Sequence, residues 1–146
     1  MKNHWYFLLL AFMLASCSSK NDDDNAQLAE MADSFAANYF SYDFSGALRF
    51  CTEESAKWLH YAASNVTQED IDVLKGLEAK ADITIGSIYI LDDSTAAIEM
   101  AVSHFLEMDS IGKAGKMVDE ATFSINAVKR NGKWKIRMEG LPRSGK

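Results

Sequence analysis

The residues able to do chemistry in this chain are few, and they point in two directions. Cys17 closes the run Leu14-Ala15-Ser16-Cys17, directly after two small residues and a long apolar stretch. A thiol is readily activated as a nucleophile, and small neighbours leave the backbone beside it open to another enzyme. His104 stands in an alternating stretch with Ile98, Met100, Val102, Leu106 and Met108 on its own face. It is the one titratable group expected on that apolar face. An imidazole there acts as a general base, or as a polar handle for a ligand. Its commoner role is a core histidine satisfied by a Tyr hydroxyl or a backbone carbonyl. Tyr39, Trp58, Tyr61 and Trp134 supply rings with polar tips, which either line a pocket or fill the core. His60 is expected on the surface. Glu53-Glu54 and Asp92-Asp93 fall at a helix start and a turn, where capping explains them.

No spacing of His, Cys, Asp or Glu fits a metal site, and no Gly-rich phosphate loop or nucleophile motif is present. No metal, no cofactor and no catalytic residue is therefore expected. The enzymatic alternative rests on His104 acting with Tyr39.

These residues sit in a chain of 146 residues, enough for one domain. Composition is that of a globular protein, and the net charge of −6 speaks against nucleic acid, which needs a concentrated basic patch. The small basic cluster of Lys129-Arg130 and Lys133-Lys135 reads as a solvated hairpin tip. Two cysteines, one of them Cys17, leave Cys51 without a partner. Cys51 is expected as a small buried hydrophobe.

Residues 1–16 read as a signal peptide. Lys2 supplies positive charge, and Trp5 to Leu14 form an apolar run. A spanning helix needs about 20 apolar residues, so the run is too short for a permanent anchor. Leu14-Ala15-Ser16-Cys17 resembles the lipobox of bacterial lipoproteins. That resemblance implies peptidase recognition of Leu14, Ala15 and Ser16, and a lipid thioether on Cys17 that makes membrane lipid a partner. Two or three acyl chains make a stable anchor, where one gives only reversible binding. Ser18 to Asn25 is polar and holds Asp22-Asp23-Asp24, so residues 17–25 are expected as a lipidated cysteine and a disordered acidic tether. The acidic stretch is similar to that of Bacteroidetes lipoproteins. This implies the bacterial outer membrane, at its periplasmic face or the cell surface.

Residues 26–141 form the expected domain, and 142–146 a frayed tail. Leu28, Met31, Ala32, Phe35, Ala36 and Tyr39 recur at spacings of three and four, which predicts a helix to Phe40. Asp43, Thr52 and Thr67 are candidate caps for three shorter helices, the last reaching about Lys80. The period then changes to two. Ile83 and Ile85 alternate, then Ile88 and Ile90 in the opposite phase, which predicts a bulge at Gly86-Ser87. A long strand carries His104. A third strand puts Ala121, Phe123, Ile125 and Ala127 on one face. Asn131-Gly132 predicts a type I′ hairpin, and the last strand buries Trp134, Ile136 and Met138. Helices followed by a four-stranded antiparallel meander make an α+β fold.

This order resembles the nuclear transport factor 2-like (NTF2-like) superfamily. The residues that carry it are Asn38-Tyr39-Phe40, Asp43-Phe44-Ser45-Gly46-Ala47-Leu48 and Asn131-Gly132-Lys133-Trp134-Lys135. A cystatin-like fold also places a helix before a meander, normally only one. The resemblance implies a cone of helices packed on a curved four-stranded sheet, with a pocket between them. Ketosteroid isomerases of that superfamily use a Tyr and two acids in the pocket. Tyr39 fits such a place, but no acid shares the apolar strand faces, which argues against isomerase chemistry. The expected function is a lipid-anchored, non-catalytic small-molecule-binding or accessory domain. The alternatives are a cyclase- or isomerase-like enzyme and an envelope protein that forms homodimers or holds a protein partner through the exposed sheet face.

Overall fold

The computed structural model describes residues 19–145. Residues 1–16, with Leu14, Ala15 and Ser16, and also Cys17 and Lys146 lie outside the described residues. Among those described, no helix is long and apolar enough to cross a membrane.

Helix α1 runs from Ser19 to Tyr39. Its apolar stripe is the expected one: Leu28, Ala32, Phe35 and Ala36 are fully buried, and Met31 and Tyr39 nearly so. The helix starts earlier than expected, however. Residues 19–25, read as tether, form its first turns. The reason lies one turn before Leu28 on the same stripe. Asp24 is buried there, and its Oδ1 accepts from Trp134 Nε1 and from Lys129 Nζ, each at 3.0 Å. A polar sequence is thus held helical by a contact that its own composition does not reveal.

Three short helices follow, α2 (Phe44–Leu48), α3 (Ala56–Ser64) and α4 (Gln68–Gly76). Asp43 caps α2 through the Gly46 amide at 2.9 Å. Gly46 also lies against Asn38 of α1, where any Cβ would collide with the amide. Thr52 makes no capping bond; its hydroxyl pairs with Ser55 Oγ at 2.7 Å, and a 3-10 turn over Glu53–Ser55 precedes α3. Thr67 caps α4 with Asp70 in a reciprocal capping box. Helix α4 stops at Gly76 rather than Lys80, because glycine favours leaving the helix and Leu77 is extended.

The strands β1 (Asp82–Asp92), β2 (Thr95–Glu107), β3 (Lys116–Arg130) and β4 (Lys133–Arg137) pair antiparallel in sequence order. Ile85 faces Met100 while Ile88 faces Ile98, so β1 carries one extra residue at Gly86-Ser87. The bulge returns Ile88 and Ile90 to the core face. Phe123, Ile125 and Ala127 of β3 are buried, and Thr122, Ser124 and Asn126 are exposed. Asn131 and Gly132 have φ of 53° and 77°, as a type I′ turn requires.

Two departures reshape the site. His104 does not face the core. It has φ 55° and is exposed, while Phe105 and Leu106 on its C-terminal side are both buried. Pairing still runs one-to-one across it, Ser103 with Glu120 and Phe105 with Val118. The left-handed residue therefore turns the side chains over without an insertion. Phe105 gains edge contacts to Phe40 and Phe123, with ring centroids 5.2 and 5.6 Å apart. Burying a Phe contributes roughly 1.5–3 kcal/mol, which exceeds the cost of about 1–2 kcal/mol for one left-handed residue.

The tail is the second. Strand β4 is short and leaves Thr122 and Phe123 on the edge of β3 unpaired. Ser144 bridges to Phe123, and the Gly145 amide donates to Thr122 O at 2.8 Å. The chain from Glu139 to Arg143 is thereby held as an arch instead of fraying. Ser55 fixes its start: its buried hydroxyl accepts from the Met138 amide at 2.8 Å. Upstream, Phe50 to Thr52 runs beside β4, with the Ile136 amide donating to Phe50 O at 2.7 Å and the Thr52 amide donating to Ile136 O at 2.9 Å.

Candidate functional site

A cavity of about 500 Å³ opens between the helices, the end of β2 and the arch. Helix α1 supplies Tyr39 at its last turn, where the 3.6-residue stripe aims it inward with Phe35. Its ring stacks on Phe35 at 5.6 Å and meets Phe40 and Phe44 edge-on at 5.1 and 5.6 Å. Burial raises its phenol pKa, and no hydrogen bond contributes. The hydroxyl stays neutral, and Tyr39 is only 7% exposed.

Tyr42 follows with φ 63°, which swings its ring back over the cavity. Its hydroxyl donates to Leu106 O at 3.1 Å, tying the helical layer to the end of β2. Burial, with Asp70 and other negative groups nearby, raises its pKa as well. Helix α3 adds Trp58 and Tyr61, three residues apart on one face. Phe105 and Phe123 reach the cavity from the sheet.

Charged groups border this aromatic space. Glu107 and Asp109 come from the end of β2 and the residues after it, and Glu139 and Arg143 from the arch. The Ser110 amide donates to Asp109 at 2.7 Å and holds its carboxyl below the usual range. That is opposite to the raised pKa that a general acid needs at neutral pH. Glu139 pairs with Arg137 at 3.3 Å. Asp70, buried beneath the β2–β3 loop, is occupied structurally. Its Oδ1 accepts from the Gly115 amide at 2.7 Å and its Oδ2 from the Thr67 amide at 2.9 Å. Burial opposes its ionisation, but these bonds prevail and its pKa is lowered.

Of the five residues expected at a pocket, Tyr39, Trp58 and Tyr61 converge, and His104 and Trp134 do not. His104 lines a separate hollow of about 290 Å³ beside Ser41 and the segment after α4. Trp134 is buried against Asp24 and the N-terminal part of α1, with the Lys129 ammonium 5.6 Å from its ring centroid. The expected pairing of His104 with Tyr39 is thus corrected: they open into different cavities because the left-handed backbone at His104 turns its side chain to the other face of β2. Tyr42, Phe105 and the bordering carboxylates escaped sequence reasoning. The two rings are placed by positive φ at Tyr42 and His104, which no residue spacing signals. The acids lie at a strand end and in the arch rather than on strand faces.

A larger cavity of about 710 Å³ shares the arch. It is lined by Thr84, Ser87, Thr122, Ser124 and Asn126 of the sheet together with core side chains such as Phe35 and Phe123. Glu99, Arg137, Glu139 and Arg143 also line it, so what distinguishes the smaller cavity is its rings, from Tyr39, Phe40, Tyr42, Trp58, Tyr61 and Phe105. Among the described residues no three His, Cys, Asp or Glu gather to hold a metal ion.

No protein-family model matches this chain, and no curated protein is significantly similar to it. Solved structures share its fold. One is an NTF2-like protein of unknown function from Shewanella oneidensis MR-1, with a TM-score of 0.54 and 11% identity, covering 84% of this chain and 99% of that one. Another is a protein of unknown function from Mycobacterium tuberculosis, with a TM-score of 0.53 and 13% identity, covering 86% of this chain and 74% of that one. Helices followed by a curved four-stranded antiparallel sheet make this an α+β, NTF2-like fold, as the sequence resemblance implied. At such identities the likeness concerns the fold alone, and no site residue is carried over.

Proposed function

We propose that this chain is a lipid-anchored envelope protein, attached through Cys17 to the outer membrane, whose NTF2-like domain binds a small organic molecule without transforming it. The observation that supports binding is the convergence of Tyr39, Tyr42, Trp58 and Tyr61 on one cavity of about 500 Å³. That volume lies within the range of small-molecule sites, roughly 300–1,000 Å³. Tyr39, neutral and buried, stands at its inner wall. Binding without transformation fits the ionisable groups at and around this cavity. The one imidazole considered for proton transfer, His104, opens elsewhere, and Asp109 is held ionised rather than protonated. The anchor rests on the lipobox pattern alone.

The binding test is a fragment screen against the Cys17→Ser chain, followed by the NMR resonance of the Trp58 indole. Ligands are expected to move that resonance and to lose affinity in Trp58→Ala and Tyr61→Ala. His104→Ala should bind normally. A ligand lost only in His104→Ala would overturn the assignment of this cavity. For the anchor, metabolic palmitate labelling should vanish in Cys17→Ser; persistent label would refute it.

A further inference from the structure

The lining of the aromatic cavity has a sign of charge as well as a shape. Glu107, Asp109 and Glu139 border it with Arg143, and the Lys57 ammonium stands 5.2 Å from the Trp58 ring centroid. Glu139 is shared with Arg137, and Lys113 and Lys116 lie near Asp109, so Glu107 carries the negative charge least shared with a neighbouring cation. The interior beside them is a set of ring faces, and ring faces are electron-rich: they attract cations and repel anions. Tyr39, buried at the end of α1, lines the same space. The carboxylates are spread along the border, with no three gathered as a metal site. Spread charge over aromatic walls suits a large, weakly hydrated cation better than a compact, strongly hydrated one.

Resting on the ligand-binding reading above, we infer that this cavity takes a small organic cation, an ammonium or quaternary ammonium group carried on an apolar body. The cationic head lies against the rings of Tyr42, Trp58 and Tyr61, with Glu107 and Asp109 alongside. The apolar body fills the space before Phe105 and Phe123.

The test compares choline with 3,3-dimethyl-1-butanol, its uncharged counterpart of the same shape, by titrating the Trp58 indole resonance of the Cys17→Ser chain. Choline is expected to bind about tenfold more tightly. In the Glu107→Gln, Asp109→Asn double variant the two affinities should converge, through weaker choline binding with the alcohol unchanged. Equal affinities in the unaltered domain, or preference for the alcohol, overturn the charge inference and leave the cavity's binding role standing. Neither probe binding, while a neutral or anionic fragment does, has the same meaning. If no compound of any charge moves the resonance, the binding reading falls as well.

Discussion

The indole Nε1 of Trp134 donates to Oδ1 of Asp24 at 3.0 Å, joining residues 110 positions apart in the chain. Lys129 Nζ reaches the same oxygen, so the hairpin of β3 and β4 grips the first turns of α1. If Cys17 carries the lipid, this grip lies a few residues from the anchor and leaves little free tether before the fold.

The grip makes a pH-dependent contribution to stability. The Trp134 hydrogen bond, then that of Lys129, lowers the Asp24 pKa in the folded state. A depressed carboxyl pKa stabilises the fold above the unfolded value of about 3.9, and the gain is lost as pH falls through the folded pKa. Asp24→Asn is therefore expected to lower the urea midpoint at pH 7 and to differ little from the unaltered chain near pH 2. An equal deficit at both pH values would remove the charge from the explanation.

His104 and its neighbour Phe105 should respond in opposite ways to substitution. His104→Gly removes left-handed strain and is expected to leave stability unchanged or raise it by up to about 1 kcal/mol. His104→Val should cost about 1–2 kcal/mol, since a β-branched residue fits φ 55° poorly. Phe105→Ala should cost about 3–5 kcal/mol through the cavity left beside Phe40 and Phe123. Chevron or equilibrium denaturation measures all three. A large loss in His104→Gly would restore the buried histidine that the alternating pattern suggested.

Thr67 and Asp70 act as a pair at the start of α4. Thr67→Ala should cost about 1 kcal/mol as a lost cap. Asp70→Asn should cost more and should also speed amide exchange at Gly115, whose N–H it holds from 45 residues away. Exchange at Gly115 that does not change would limit Asp70 to its own helix.

Cys51 is buried and its thiol donates weakly to Ala47 O at 3.4 Å. Burial pushes its pKa up to about 12. In the Cys17→Ser chain, iodoacetamide at pH 8 should leave Cys51 unmodified in the folded protein and label it on unfolding in urea. Fast labelling of the folded chain would show that the segment Phe50 to Thr52 opens from β4.

Features decided over a few residues were legible in advance. The stripe of α1 follows from spacings of three and four. The I′ turn follows from Asn131-Gly132, the α4 cap from Thr67, and the bulge from the phase change at Gly86-Ser87. Each is set by local sterics and hydrogen bonds that neighbouring residues determine. The α+β order and the inward side of Tyr39 followed from those periods, whereas Trp58 is half-buried and Tyr61 exposed.

What the amino-acid order determined by itself is thus the set of elements and the face most of them bury. Tertiary structure alone decided which groups share a cavity. His104 turns outward because Phe105 gains more by reaching Phe40 and Phe123 than one left-handed residue costs. The acidic stretch before residue 26 is helical because Trp134 and Lys129 wait for Asp24 at the other end of the chain. The tail becomes an arch because a short β4 leaves the edge of β3 unpaired. In each case the competing energies are local and similar, and a contact from a distant residue chooses between them.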